Sequence, residues 1–254
     1  MQLSHVPRID VKYWAALILA SVFGANTGDF FADALHLGHL RGLPVLAVLF
    51  TLAILAERFD RLRHYVYFWF VIVVIRTSAT NIGDIAHDLR LYAPYVILAL
   101  ATCLLAVVMC WRAVFMARLK NNPDGSGSII VTNSAYWLSM LLAGTLGTVI
   151  GDYFSFGLHL FPFRATLVLG GTLALTFIAC RRGLTGRHIN ILFYWLTIVL
   201  IRSAGTSLGD FCAAELHLPV STLLSGLAFV ALLLFWKAPT SHPSKIPPGT
   251  KPAP

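Results

Sequence analysis

Long apolar segments separated by short polar ones run through most of the chain. Eight of these segments are predicted to be membrane-spanning helices, because a bilayer core of roughly 30 Å requires about 20 apolar residues. They cover residues 13–36, 43–57, 66–90, 92–111, 135–159, 164–180, 190–217 and 219–236. The segment 43–57 is short for a complete crossing. The pattern therefore predicts an all-α integral membrane protein with eight transmembrane helices.

Every second apolar segment carries polar residues at a fixed spacing. A Trp is followed 15 positions later by an Asp that comes directly after a Gly. The pairs are Trp14/Asp29, Trp69/Asp84, Trp137/Asp152 and Trp195/Asp210. Because each unit contains two predicted spans, successive units enter the membrane in the same direction. The chain is therefore predicted to form four parallel two-helix repeats in a pseudo-fourfold arrangement.

A second duplication divides the four repeats into two homologous halves. Units two and four have Arg76 and Arg202 eight residues before the Asp, where units one and three have Ser21 and Gly144. A stretch rich in Asn, Pro, Gly and Ser indicates a loop between the halves, and the final residues are rich in Pro, Ser and Lys. The predicted parts are a membrane half at 1–120, a cytoplasmic linker at 121–134, a second membrane half at 135–237 and a disordered cytoplasmic tail at 238–254.

Further polar residues share the helix face of the repeated Asp. Small residues stand one and five positions before it, and this spacing lets helix backbones approach closely. A Thr stands four positions before it in three units, an Asp four positions after it in two, and a His seven positions after it in three. Steps of four and seven return to nearly the same face of a helix. The residues therefore predict one polar stripe, about 22 Å long, on each of these helices.

The charges of these helices point to cation chemistry. Seven acidic residues lie in them, against two arginines. Desolvation and like-charge repulsion both disfavour ionisation of close carboxylates, so either several carboxylates hold protons or a bound cation supplies positive charge. Oxygen ligands suit hard divalent cations such as manganese, and histidine extends the choice to zinc, cobalt or nickel. We expect a cation transporter or channel, with protons as a candidate coupling ion.

Two sets of residues follow from this expectation. The predicted ion pathway consists of Asp29, Asp33, Asp84, Asp88, Asp152, Asp210, Thr80, Thr148, Thr206, Arg76 and Arg202. The predicted metal ligands are Asp29, Asp84, Asp152, Asp210, His36, His159 and His217. A divalent metal is expected as the substrate, and no resident cofactor is assigned.

Several alternatives stay open. The two arginines can pair with an aspartate of a neighbouring helix and hold the bundle together, and the tryptophans can be interfacial anchors or inner packing residues. The histidines can be interfacial residues, or axial ligands of a membrane b-type haem protein. A scaffold or sensor that transports nothing is a further alternative. No Lys lies within a span for a retinal Schiff base, and no nucleotide-binding loop or nucleophile–base pair indicates an enzyme.

The net charge of +8 reflects topology and not a nucleic-acid partner. Only Arg41, Arg90 and Arg164, of 19 basic residues, fall in the predicted outer loops, and this asymmetry places both termini in the cytoplasm. No basic domain lies outside the predicted bilayer, so nucleic-acid binding is not expected. The expected partners are the lipid bilayer and a small cation.

The stretch Phe193–Asp210, with its Trp-to-Asp spacing, resembles the tandem two-span repeat of the bacterial "uncharacterised membrane-anchored protein" family. Members of that family are similar in carrying four such repeats, each with a characteristic Trp. The resemblance covers nearly the whole chain apart from the tail. It implies a multi-pass protein of the bacterial inner membrane and brings no established chemistry.

Overall fold

The computed structural model describes residues 7, 9–59, 65–121, 132–179 and 191–235, without the side chains of residue 58 and residues 113–121. Within these ranges all regular structure is helical, as predicted. The helices are α1 (Val11–Asp29), α2 (His39–Phe59), α3 (Val66–Asp88), α4 (Ala93–Asn121), α5 (Ser134–Asp152), α6 (Phe161–Ala179), α7 (Ile191–Leu216) and α8 (Leu218–Leu234). Two of them continue into π-helical turns, α1 into Phe30–Ala34 and α5 into Tyr153–Gly157.

Seven of the described helices are long and apolar enough to cross a membrane. From its sequence, segment 43–57 is predicted to be short for a crossing, and this prediction is wrong. The segment belongs to α2, which begins at His39 and has 21 residues. The shorter apolar helix is α8, which has 17 residues and lies within the predicted span 219–236. Most of the predicted linker 121–134 and the whole predicted tail lie outside the described residues.

Local sequence determines where two of the helices begin. The side chain of Asp10 accepts a hydrogen bond from the Tyr13 backbone N–H at 2.8 Å and caps α1. Asn133 caps α5 in the same way through the N–H of Tyr136 at 2.9 Å. Each cap satisfies one of the backbone donors left free in a first helical turn. The two residues occupy the same position relative to the repeated Asp.

The first helices of the four Trp–Asp units, α1, α3, α5 and α7, form the interior and are called the inner helices below. Most of their side chains are buried, whereas α2, α4, α6 and α8 expose most of their apolar residues. The inner helices contact one another in a closed sequence, α1 with α3, α3 with α5, α5 with α7 and α7 with α1. The outer helices α2, α4, α6 and α8 pack on α3, α5, α7 and α1 respectively. The second helix of each unit therefore supports the first helix of the next.

Small residues allow the inner helices to approach closely. The Gly directly before the repeated Asp lies against the Thr of the next inner helix, in the pairs Gly28/Thr80, Gly83/Thr148 and Gly151/Thr206. One turn earlier, Gly24 lies against Arg76, Gly147 against Arg202 and Gly205 against Ser21. Because the contacts keep the same register at both levels, neighbouring inner helices run in the same direction. The predicted packing role of the small residues is confirmed.

The tryptophans lie inside this bundle. The four tryptophans of the Trp–Asp pairs are at most 4% exposed, so they pack in the interior and are not interfacial anchors. Each Trp ring contacts the aromatic residue that precedes the Trp of a neighbouring inner helix, with ring centroids 5.6–6.0 Å apart. These pairs are Trp14/Tyr194, Trp69/Tyr13, Trp137/Phe68 and Trp195/Tyr136. All four pairs are tilted, and aromatic contacts of this kind add to the stability gained by burial.

Candidate functional site

The four repeated aspartates lie close together between the inner helices and are called the aspartate ring. The Asp84 carboxylate interacts electrostatically with Asp29, Asp152 and Asp210, and Asp210 interacts with Asp29 and Asp152. All four side chains are half-buried. One carboxylate oxygen of Asp84 and one of Asp210 are buried without a hydrogen-bond partner among the described residues. These two buried oxygens therefore retain acceptor capacity, although Asp84 Oδ2 lies 3.5 Å from His39 Nδ1.

Arg76 lies directly beneath the aspartate ring and connects three other inner helices. Its guanidinium donates hydrogen bonds to the hydroxyls of Thr148, at 2.8 Å, and Thr206, at 2.6 Å. It also donates to the backbone carbonyls of Ser21, Gly144 and Arg202 at 3.3–3.5 Å. The charge of Arg76 interacts with all four aspartates of the ring. The side chain is fully buried, so it fills the space between the inner helices at this level.

Arg202 occupies the equivalent repeat position on α7 and has different surroundings. Its side chain is fully buried, and none of its three guanidinium nitrogens has a hydrogen-bond partner among the described residues. Its electrostatic neighbours are Arg76 and the tyrosines Tyr13, Tyr136 and Tyr194. The alternative in which each arginine pairs with an aspartate is not realised among the described residues, because Arg76 donates to hydroxyls and carbonyls and Arg202 has the tyrosines as electrostatic neighbours.

The predicted threonines have separate roles. Thr148 and Thr206 hold Arg76, whereas the Thr80 hydroxyl donates to the Arg76 backbone carbonyl on its own helix at 3.3 Å. Neighbouring Thr hydroxyls therefore position the guanidinium beneath the ring. Thr80 instead packs against Gly28 of α1.

The two aspartates predicted one turn beyond the ring lie at its rim. Asp33 is exposed on the π-helical turn after α1, and Asp88 is exposed at the end of α3. His39, at the start of α2, lies between two acidic groups, with Nδ1 3.5 Å from Asp84 Oδ2 and Nε2 3.9 Å from Asp88 Oδ2. The π-helical turns alter the helix register beyond Asp29 and Asp152, so the predicted straight stripe ends at the ring in these two helices.

The three predicted histidines occupy turns and not the ring. His36, His159 and His217 are exposed and have backbone φ values of 54°, 56° and 65°. In the second unit Arg90, with φ 53°, takes the same place in the connection between the two helices. His is several-fold enriched among the non-glycine residues that adopt this left-handed conformation. The left-handed backbone conformation at these positions therefore explains why His recurs there. Because the three histidines are exposed, their positions do not favour haem ligation.

The candidate ligands do not form a preassembled metal centre. Within the described part of the chain, no three His, Cys, Asp or Glu side chains are grouped so that they could hold one metal ion. The structure brings the four ring aspartates together with Arg76, Thr148 and Thr206. It leaves His36, His159 and His217 outside this group, so metal binding by the predicted ligands stays a prediction.

Two sets of buried polar residues were missed by sequence reasoning. Asn26 and Asn81 stand three residues before the Asp and are fully buried, and the Asn81 side chain has no hydrogen-bond partner among the described residues. The residues directly before three of the tryptophans are tyrosines whose hydroxyls meet, Tyr13 with Tyr194 at 2.8 Å and Tyr136 with Tyr194 at 3.2 Å. Both positions recur in the repeats, so the sequence pattern could have identified them. His39 has no counterpart in the other units and could not have been found in this way.

Comparison with protein families identifies the repeat. A family model described as Repeat of Unknown Function (DUF347) matches residues 12–61, 135–182 and 193–241, together more than half of the chain. The chain belongs to this DUF347 repeat family. Each matched segment begins 17 residues before a ring aspartate, which agrees with the Trp–Asp units one, three and four. No curated protein and no solved structure matches the chain.

Proposed function

We propose that this DUF347 protein transports a small cation across a membrane and that the aspartate ring is its binding site. The observation that carries this proposal is the convergence of four half-buried carboxylates, one from each inner helix, in a bundle of apolar helices. Ionisable residues inside a membrane are costly, and they typically mark ion pathways. Cation binding accounts for the four ring carboxylates, whereas a scaffold that transports nothing would not need them.

The charge balance at the ring supports a cation. Four carboxylates face a single neighbouring guanidinium, that of Arg76, since Arg202 lies toward the tyrosines. Carboxylate, hydroxyl and amide oxygens are the ligands that hard cations take. No described group of three ligands closes around one point, so we propose a divalent cation of the manganese type that keeps part of its water shell.

The proposed membrane arrangement follows from the helices. We propose that all eight helices span the inner membrane of a bacterium, as four parallel two-helix repeats around a pseudo-fourfold axis, with both termini in the cytoplasm. The closed sequence of contacts among the inner helices supports the axis, and the few basic residues in the predicted outer loops support the orientation. The aspartate ring then lies in the outer half of the membrane.

The filled space beneath the ring favours a transporter over a permanently open channel. Arg76 bridges the inner helices, and the joined hydroxyls of Tyr13, Tyr136 and Tyr194 close the opposite end of the bundle. A cation at the ring cannot continue until these contacts separate. We propose that separation of the inner helices at the tyrosine end alternates with access from the ring end, and that protons on the carboxylates exchange with the cation.

Flux through purified protein in proteoliposomes tests the proposal. Labelled manganese is added outside, and a pH-sensitive dye inside reports coupled protons. Asp84→Asn and Asp210→Asn keep the side-chain shape and remove one charged ligand each. We expect metal flux below about a tenth of the unmodified rate in both variants, with folded protein in the membrane.

Glu215→Gln is the matched control, because Glu215 is an exposed acidic residue on the same helix as Asp210. We expect this variant to transport at the unmodified rate. Normal flux in both Asn variants would show that the ring is not the ion site. Absence of flux for protons and for every divalent metal in the unmodified protein would contradict transport itself.

A further inference from the structure

The buried guanidinium of Arg202 lacks a hydrogen-bond partner and a compensating charge among the described residues. Its guanidinium is always protonated in proteins and carries five N–H donors. The side chain is 0% exposed, and none of its nitrogens has a partner among the described residues. A buried charge without compensation is strongly destabilising, and here the like charge of Arg76 adds to the destabilisation. Some group of opposite charge or strong acceptor character is therefore required beside it.

The two arginines face opposite ends of the bundle although they share one repeat position. All four ring aspartates act on Arg76, whereas Arg202 interacts with three tyrosines and with Arg76. The tyrosines stand eight residues before the arginine position, about 12 Å along the axis. Arg202 thus extends into the space between Arg76 and the tyrosines.

Buried hydroxyl groups lie on the inner helices toward the tyrosine end. Three tyrosine hydroxyls provide three O–H donors, and the two hydrogen bonds among them use only two. Ser139 and Thr197, three residues beyond the tyrosines on α5 and α7, are 0% exposed, and their hydroxyls have no partner among the described residues. The equivalent residues of the other units are Ala16 and Val71. The Ser139 and Thr197 hydroxyls lie on α5 and α7, and a further buried hydroxyl without a described partner, that of Ser21, lies on α1.

We propose that a small monovalent anion of the chloride type binds between Arg202 and the tyrosine hydroxyls. Arg202 supplies one uncompensated positive charge and the joined tyrosines supply a free O–H donor, and among the described residues the electrostatic neighbours of Arg202 are Arg76 and these three tyrosines. An anion satisfies the charge and the donors together, whereas a neutral water satisfies only hydrogen bonds. The site is separate from the aspartate ring and does not depend on cation transport.

Chloride binding to the full chain in lipid nanodiscs tests the proposal. Chloride replaces gluconate at constant ionic strength, and binding is followed by chloride NMR line broadening and by the rise in melting temperature that ligand binding produces. We expect saturable binding to the unmodified protein and an affinity at least about tenfold weaker in Arg202→Gln. Arg164→Gln removes an exposed arginine at the start of α6 and should bind chloride normally.

A second variant keeps the proposal testable if Arg202→Gln fails to fold. Tyr194→Phe removes the hydroxyl that joins the other two tyrosines, and Thr197→Val removes a second donor with little change of shape. The double variant should weaken chloride binding and reduce the chloride-dependent rise in melting temperature. Absence of saturable binding to the unmodified protein would overturn the site and leave Arg202 solvated by water alone. Unchanged binding in both the Arg202 variant and the double variant would also overturn it.

Discussion

The close packing of the inner helices can be tested by one added methyl group. A Cβ built on Gly151 of α5 would lie 2.8 Å from Thr206 Cβ and 3.0 Å from the backbone oxygen of Ser203, both on α7. A backbone oxygen cannot rotate away, so Gly151→Ala must move α5 and α7 apart. Thr206 also accepts the 2.6 Å hydrogen bond from Arg76, and the same movement weakens that contact.

The expected change in the free energy of unfolding of Gly151→Ala is the sum of two opposing contributions. Overpacking of a tight interior typically costs about 1–3 kcal/mol. Replacing Gly by Ala inside a helix stabilises the folded state by roughly 1 kcal/mol, because Ala has the higher helix propensity. We therefore expect the free energy of unfolding of Gly151→Ala to fall by up to about 2 kcal/mol. Reversible unfolding in mixed micelles, followed by tryptophan fluorescence, measures this difference.

Gly170→Ala supplies the control, because a Cβ at Gly170 on the outer helix α6 meets nothing within 4 Å. That variant should equal the unmodified protein or exceed it by up to about 1 kcal/mol. The opposite signs expected at Gly151 and Gly170 separate packing from helix propensity. If Gly151→Ala were as stable as Gly170→Ala, the close contact between α5 and α7 would be refuted.

Two further predictions concern orientation and the turn histidines. A reporter fused after Lys120 or Lys245 should be active only as a cytoplasmic enzyme, and one placed near Arg164 should report the periplasm; periplasmic activity at Lys120 would contradict two spans per repeat. His159→Asn should keep full stability and cation flux because Asn tolerates a positive φ, whereas His159→Val should lose about 1–2 kcal/mol. A loss of flux in folded His159→Asn would assign this histidine to the metal.

Repetition made much of the fold predictable from sequence. Because Gly151 and Thr206 recur at equivalent positions in other units, their spacing predicted the face on which the helices pack. The division into inner and outer helices has the same basis in the sequence, because a helix that carries Asp210 is costly to expose to lipid whereas an apolar helix such as α8 is not. Equivalent residues of the repeats therefore occupy equivalent positions in the helix bundle. The three segments matched by the family model correspond to units one, three and four.

Residues that depart from the repeat could not be placed from sequence. Arg76 and Arg202 share one repeat position, yet their head groups lie on opposite sides, because contacts with Thr148 and Thr206 hold only the first. Periodicity also assigned His159 to a ligand role, although a regular spacing equally marks a turn that needs a left-handed residue. The position of an element's end, and of a side chain's head group, depends on tertiary contacts that spacing does not encode.

The central claim is that the aspartate ring binds the transported cation. Manganese binding to the purified protein, measured by loss of the free-ion EPR signal, tests it most directly. We predict saturable binding of about one ion per chain, weaker in each single Asn variant and absent when Asp29, Asp84, Asp152 and Asp210 are all replaced by Asn. Unchanged manganese binding in the folded fourfold variant would contradict the claim.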